Sequence, residues 1–217
     1  MPDAAALDEA YQRQLGHWRA GLDSGAHRIG WKVGLNPPKV QQALELSRPV
    51  VGHLTSATLL GADGAHSLAG AQAPKAEPEI VIEIGPDKTV AGLGPAIELV
   101  DIPAPPSGPD DVPQVVATNI FHRGVAIGSS AAVESPAGAA WTFSVDGEVV
   151  REGDASDYPI ADMVHVVADT LEAAGEQLDA GDRIIAGALA PPPDVRPGQR
   201  LMLDLGPLGA IEVQLTV

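Results

Sequence analysis

The stretch AEPEIVIEIG, residues 76–85, sets Glu77, Glu79 and Glu83 at even spacing, with Ile80, Ile82 and Ile84 between them. Successive side chains of a strand point to opposite faces, so these carboxylates share one face, with Glu77 and Glu79 about 7 Å apart along the backbone. One account is the solvated face of an amphipathic strand, an alternation common in antiparallel sheets. The other is a cation site. It draws support from GPAIELVD, residues 94–101, where Glu98 stands among Ile97, Leu99 and Val100. A carboxylate buried there is costly unless it is paired or neutralised. The basic residues near it in sequence are Lys75 and Lys88. A hard divalent cation resolves the conflict, and three carboxylates without Cys or clustered His favour Mg²⁺, Mn²⁺ or Ca²⁺ over zinc.

Other chemistry is weakly signalled. The histidines at 17, 27, 53, 66, 122 and 165 contain no pair at metal-ligand spacing, so each reads as a surface or core residue. His122 and His165 fall on predicted helices that could border a cleft. GLGP at 92–95 and GVAIGSS at 124–130 complete neither a dinucleotide fingerprint nor a phosphate loop, and no nucleophile elbow is present.

The elements that must position these groups follow from periodicity. Leu7, Tyr11, Leu15 and Trp18 recur at steps of three and four, predicting a helix over 4–22. HRIGWKVGLN predicts a strand, with Ile29, Trp31, Val33 and Leu35 on one side and Lys32 on the other. Asn36 followed by Pro37 suggests an N-cap and first-turn proline for a short helix from Pro38 to Leu46. VVGHL, SATLL, IVIEIG and GPAIELVDI read as strands, and Asp111 to Ile127 as a helix opened by Asp and Pro. WTFSVDGEVVREG is a hairpin, because Asp146-Gly147 supplies the positive φ values of a primed turn. Tyr158 to Ala174 is a helix with Ile160, Met163, Val164, Val167 and Leu171 on one stripe, and RIIAGALA and residues 201–217 return to strand and turn. The reading is an α+β chain of one domain over 1–217, with a helical N-terminal portion over 1–49 and a β-rich metal-binding body over 50–217.

Composition narrows the functional classes. Thirteen Lys and Arg stand against 29 Asp and Glu, a formal charge of -16, which disfavours nucleic acid as a partner. With no Cys there is neither a disulfide framework nor a thiolate site. No basic-then-apolar leader and no run of 18 apolar residues is visible, so the expectation is a cytoplasmic protein without a membrane partner. Aromatics are 3% of residues, so aliphatic side chains must fill the core, punctuated by 24 Gly and 20 Pro.

Taken in order, GWKVGLNPPKVQQAL, PVVGHL, EPEI, AIELVD, ATN, LDAGDRIIAGAL and PGQRLMLDLGPLGAIEV resemble the 2-keto-4-pentenoate hydratase and 4-oxalocrotonate decarboxylase branch of the fumarylacetoacetate hydrolase superfamily. The resemblance runs from about Gly30 to the end. It implies a β-rich mixed roll, like the fumarylacetoacetase C-terminal domain, with N-terminal and flanking helices. It implies Mg²⁺ or Mn²⁺ held by Glu77, Glu79 and Glu98, with Lys32 as catalytic cation or proton carrier and Glu83 as a solvated or structural residue. His53, Leu54, Asn119 and Gly187 become substrate-binding candidates. The implied reaction is that of a metal-dependent lyase on a small 2-oxo or 2-hydroxydienoic acid, first a hydratase, with a metal-stabilised enolate. The alternatives are a decarboxylase or tautomerase of the same superfamily, or a non-catalytic metal-binding partner subunit. A homodimer or higher homo-oligomer is implied as well. Four departures stand out: Ala57 where hydratases of this type have Asp, Thr118 before Asn119 in place of Asp, no Arg in LVDIPAPP, and Ala186 and Ala188 flanking Gly187.

Overall fold

A computed structural model describes residues 1–60 and 65–217. Among the described residues, two mixed sheets pack around an aliphatic core. The first contains β1 (Arg28–Gly34), β2 (Val50–Thr55), β4 (Pro74–Ile84), β5 (Val90–Asp101), β6 (His122–Ile127) and β9 (Arg183–Ile185), in the order β2-β1-β9-β4-β5-β6. The second contains β3 (Ala65–Ser67), β7 (Ala140–Val145), β8 (Glu148–Asp154), β10 (Arg200–Asp204) and β11 (Ala210–Thr216), in the order β3-β11-β10-β7-β8. Each sheet has one parallel pair, β1 with β9 and β11 with β3.

Alternation on β4 and β5 sorts the two faces of the first sheet. Ile80, Ile82 and Ile84 join Leu93, Ile97 and Leu99 in the main core, with Phe143, Leu201, Leu203, Val213 and Leu215 from the second sheet. The opposite face is not wet. Leu54, Val81, Ala96, Val125 and Ile185 form a second buried apolar cluster there. Glu77, Glu79 and Glu98 share the strand parity of Val81 and Ala96, so they stand beside that cluster in a medium of low polarity. The solvated-face account therefore fails for Glu79, and Glu98 is buried as its apolar neighbours imply. That account holds in part for Glu83, which is half-buried and lies 3.5 Å from the Arg183 guanidinium.

Among the described residues, four α-helices flank the sheets: α1 (Ala4–Asp23), α2 (Pro38–Ala43), α3 (Val112–Ala117) and α4 (Ile160–Ala173). Asp3 caps α1 by accepting from the Ala6 amide at 2.8 Å. The buried Gln14 of α1 donates to the Val116 carbonyl at 2.7 Å, which pins the end of α3 against the first turns of the chain. Asp182, at the entry to β9, accepts from Arg28 at 2.6 Å and from Trp31 Nε1 at 3.0 Å, so β9 is drawn alongside β1. The hairpin forms as expected, with Asp146 at φ 53° and Gly147 at φ 85° joining β7 to β8.

Three expectations are corrected. Residues 111–127 are not one helix: α3 ends at Ala117, and after a turn the chain becomes β6, because Val125 and Ile127 find ladder partners on β5. SATLL is mostly turn, with Leu59 making an isolated bridge to Val125. Asn36 makes no cap for α2, which begins at Pro38 with Pro37 in the cap position. Its amide turns inward instead, to Tyr158 Oη at 3.2 Å and the Ala188 carbonyl at 3.3 Å.

Candidate metal centre

Glu77 and Glu98 are direct cross-strand partners on β4 and β5, and Glu79 follows on the same face opposite Ala96. One oxygen from each of the three carboxylates lies within 4.8 Å of the others. Glu79 and Glu98 are fully buried, while Glu77 is half-buried and marks the side on which the cluster opens.

The hydrogen bonds leave a definite pattern of free oxygens. The Gly187 amide donates to Glu79 Oε2 at 2.8 Å, leaving Glu79 Oε1 buried without a partner among the described residues. Lys32 Nζ and His122 Nδ1 both approach Glu98 Oε1, His122 at 2.6 Å, leaving Glu98 Oε2 buried without a partner among the described residues. Two buried, unpaired carboxylate oxygens beside a third carboxylate fit a divalent cation, since native proteins rarely leave such atoms unsatisfied.

Electrostatics points the same way. Burial, then the Glu98 charge, pushes the Glu77 carboxyl up to about 7 against the pull of Lys32. Burial drives Glu79 well above the ordinary range, and Glu98 and Glu77 add to the shift. Burial also pushes Glu98 up, but the Lys32 ammonium and His122 outweigh it and hold this carboxyl low. Without an ion, protons would therefore accumulate on Glu77 and Glu79.

Lys32 comes from β1, two strands removed from β4 in the sheet. Its side chain is 1% exposed and is fixed between Glu98 and the Ile120 carbonyl, the latter at 3.0 Å. Its cross-strand neighbour is Gly52, where a Cβ would lie 2.8 Å from Lys32 Cγ and 2.5 Å from Asn119 Oδ1. Glycine there leaves room for the lysine stem. The basic residues near the carboxylates in sequence serve elsewhere: Lys75 pairs with Asp194, and Lys88 occupies a left-handed turn at φ 60°.

Asn119, Ile120 and Phe121 all have positive φ, at 60°, 53° and 62°. Three successive non-glycine residues in the left-handed region are costly, and such strain gathers where the backbone must present particular groups. Here the turn presents the Ile120 carbonyl to Lys32. The Asn119 side chain accepts from the His53 amide at 2.8 Å and donates to the His53 carbonyl at 3.0 Å, so it stands in for a strand beside β2.

Of the sequence-predicted site residues, Lys32 and Gly187 bond the carboxylates directly, and Asn119 bonds the backbone of His53. His53 is half-buried with Nδ1 unpaired, and burial, then His122 and Lys32, lowers its pKa to about 4. Leu54 is fully buried in the apolar cluster that shares the carboxylates' sheet face. Gly187 adopts φ 99°, where a side chain is strained, and a Cβ would come within 2.5 Å of Asn36. The Gly187 loop is held by Tyr158, whose hydroxyl bonds the Ala186 carbonyl at 2.9 Å. Burial, then the Glu79 charge, raises the Tyr158 pKa.

His122 is the residue that sequence reasoning missed. Read as a surface or core histidine on a helix, it lies instead at the start of β6 with Nδ1 against Glu98 and Nε2 2.8 Å from Thr58 Oγ1. The signal that could have found it is the β-branched pair Val125 and Ile127 just after Gly124, which favours a strand over a helix.

Fold and site together define an α+β roll with a carboxylate cluster able to hold a divalent cation. No family model matches the chain. Among curated relatives, it is 27% identical to the 4-oxalocrotonate decarboxylase of a Pseudomonas species over 232 residues, covering 99% of this chain and 89% of that protein. It is 29% identical to the 2-hydroxyhexa-2,4-dienoate hydratase of Comamonas testosteroni over 234 residues, covering 97% and 86%. Among solved structures, the fold matches 4-oxalocrotonate decarboxylase from Pseudomonas putida G7 complexed with magnesium and adipate, with a TM-score of 0.82 at 22% identity over 95% of this chain and 84% of that one. It also matches fumarylpyruvate hydrolase from Pseudomonas aeruginosa in complex with Mn²⁺ and pyruvate, with a TM-score of 0.62 at 17% identity over 88% and 90%. Curated homologues thus carry the hydratase and decarboxylase names that the sequence motifs suggested, on the fold those motifs implied. No helix among the described residues is long and apolar enough to cross a membrane.

Proposed function

We propose that this protein is a divalent-metal-dependent lyase acting on a small 2-oxo or 2-hydroxydienoic acid, with hydration of a 2-hydroxydienoate as the first reaction to test. The observation that carries this reading is the pair of unpaired buried oxygens, Glu79 Oε1 and Glu98 Oε2, beside Glu77. The names of the relatives at 27% and 29% identity supply the substrate class.

Glu77, Glu79 and Glu98 would hold Mg²⁺ or Mn²⁺. When bound, the ion supplies Lewis acidity toward the enolate charge that develops from a 2-oxo acid. The chain's own groups do the rest. Lys32 offsets one carboxylate charge and is the buried ammonium placed to move a proton at the site. The Gly187 amide and Tyr158 keep Glu79 in place, and Asn119 holds the backbone of His53. Leu54, Val81 and Ile185 are a buried apolar flank on the same sheet face as the carboxylates, and low polarity there strengthens charge interactions.

One feature favours decarboxylation as the second reading. Ala57, standing where the resembled hydratases have Asp, is exposed on a turn and cannot transfer a proton. Loss of carbon dioxide breaks a carbon–carbon bond and leaves the electron pair on the enolate, so it asks for fewer proton-transfer groups than addition of water.

The test is turnover of a panel of 2-oxo and 2-hydroxydienoic acids followed by ultraviolet absorbance, with Mg²⁺, Mn²⁺ or chelator. The expected result is metal-dependent turnover, with a hydrated product or released carbon dioxide separating the two reactions. Turnover unaffected by chelator, or none by a metal-loaded protein on any member, overturns the reading.

A further inference from the structure

Glu98 differs from the other carboxylates of the cluster in having two cationic or N–H donors on one oxygen. Lys32 Nζ and His122 Nδ1 both meet Oε1, and that double contact leaves Oε2 as the oxygen without a partner among the described residues. Lys32 is anchored at its far side by the Ile120 carbonyl. His122 is anchored by Thr58, and this second anchor is built into the fold. The Thr58 carbonyl accepts from the Val125 amide at 2.9 Å, and the Leu60 amide donates to the Val125 carbonyl at 2.9 Å. Residues 58–60 are thereby bridged to β6, the same strand that carries His122, so hydroxyl and imidazole are fixed relative to each other.

The hydroxyl has one proton to give. Thr58 Oγ1 lies 2.8 Å from His122 Nε2 and 3.3 Å from the Thr55 carbonyl. In a neutral ring Nε2 accepts from Thr58, and in an imidazolium it donates to Thr58 while the hydroxyl donates to Thr55; in both Nδ1 donates to Glu98. Thr58, His122 and Glu98 form one line of hydrogen bonds ending on a carboxylate with a single free oxygen.

We propose that His122, held by Thr58, is a positioning residue that presents Glu98 Oε2 to the divalent cation and so sets metal affinity. This rests on the metal reading given above and extends it to residues outside the carboxylate set. Groups that orient a ligand in this way typically contribute about 10- to 100-fold to metal affinity.

The experiment is a calorimetric titration of the metal-stripped full chain with Mn²⁺ for wild type, His122→Ala, His122→Asn and Thr58→Val, with thermal melting in chelator alongside. Asparagine keeps an N–H near the Nδ1 position and loses the arm to Thr58. The expected result is weakening of about 10- to 100-fold in His122→Ala, partial recovery in His122→Asn, and a smaller loss in Thr58→Val, without a matching drop of the metal-free melting temperature. Mn²⁺ affinities within threefold of wild type in the folded variants overturn the inference while leaving the metal centre intact. Should His122→Ala not fold, unchanged affinity in Thr58→Val together with His122→Asn overturns it equally. A wild type that binds no Mn²⁺ overturns the metal reading itself.

Discussion

Glu77 and Glu98 face each other directly across the β4–β5 ladder, the register at which like charges oppose strand pairing most strongly. Their pairing is the longest in the first sheet, running from Pro74 opposite Asp101 to Ile84 opposite Val90. A fold that keeps this register holds a local conflict, and a cation relieves it. Ion binding to the folded state alone must then stabilise the protein. With Mn²⁺ at about 100 times its dissociation constant the gain is about 2.7 kcal/mol, or roughly 5–10 °C in melting temperature for a chain of this size. Differential scanning calorimetry with Mn²⁺ and with chelator measures it.

The same conflict gives a pH dependence with a definite sign. Glu77 is raised from 4.5 to about 7 in the folded protein, and Glu79 moves in the same direction. The folded state therefore binds more protons than the unfolded one in that window. The stability from holding them is full below about pH 4.5 and is lost as pH rises through about 7. His53 runs oppositely: lowered from 6.5 to about 4, it costs stability as pH falls through that range. Subtracting Glu77→Gln from wild type, both in chelator, isolates the carboxylate: the advantage of Glu77→Gln should grow from pH 5 to pH 8. In Mn²⁺ the trend should reverse, because the ion displaces the protons.

Glu79 and Glu98 should respond in opposite ways to loss of charge. Glu79→Gln removes a carboxylate that burial and its neighbours oppose, so in chelator at pH 8 this variant should melt above wild type. Glu98→Gln strands the buried Lys32 ammonium without its anion, and should cost about 3–5 kcal/mol. Both should lose the melting shift produced by Mn²⁺. Equal stability of the two variants in chelator would contradict the assignment of Lys32 to Glu98.

Asn119→Ala tests the strained turn. It leaves the amide and carbonyl of His53 without their partners and places alanine at φ 60°, so a cost of about 2–4 kcal/mol in denaturant unfolding is expected. Mn²⁺ affinity should fall as well, since Ile120 lies in the same turn and His122 opens the strand that follows it. A loss of stability below about 0.5 kcal/mol would show that the turn holds without Asn119.

The carboxylate set was legible because its geometry is local. Period two places Glu77 and Glu79 on one face, and an apolar setting marks Glu98 as out of place. The hairpin at Asp146-Gly147, α1 and the long helix α4 were legible for the same reason, since each depends on contiguous residues. What was hidden depends on pairing between distant segments. The Lys32–Glu98 ion pair spans 66 positions and exists because β1, β9, β4 and β5 are ordered side by side. His122 was concealed by a helical reading that ran past Ala117. No local pattern announces three left-handed residues that are not glycine, because only the contacts of the finished turn offset their strain. Asn36, beside a proline, looked like a cap, yet Tyr158 and the Ala188 carbonyl drew it inward.

The central claim is that Glu77, Glu79 and Glu98 form one divalent-cation centre, and anomalous diffraction from crystals grown with Mn²⁺ tests it most directly. A single strong peak contacted by all three carboxylates, through Glu79 Oε1 and Glu98 Oε2, is expected, and it should be absent in Glu79→Gln. Full Mn²⁺ occupancy at another site, with these carboxylates left unliganded, would contradict it.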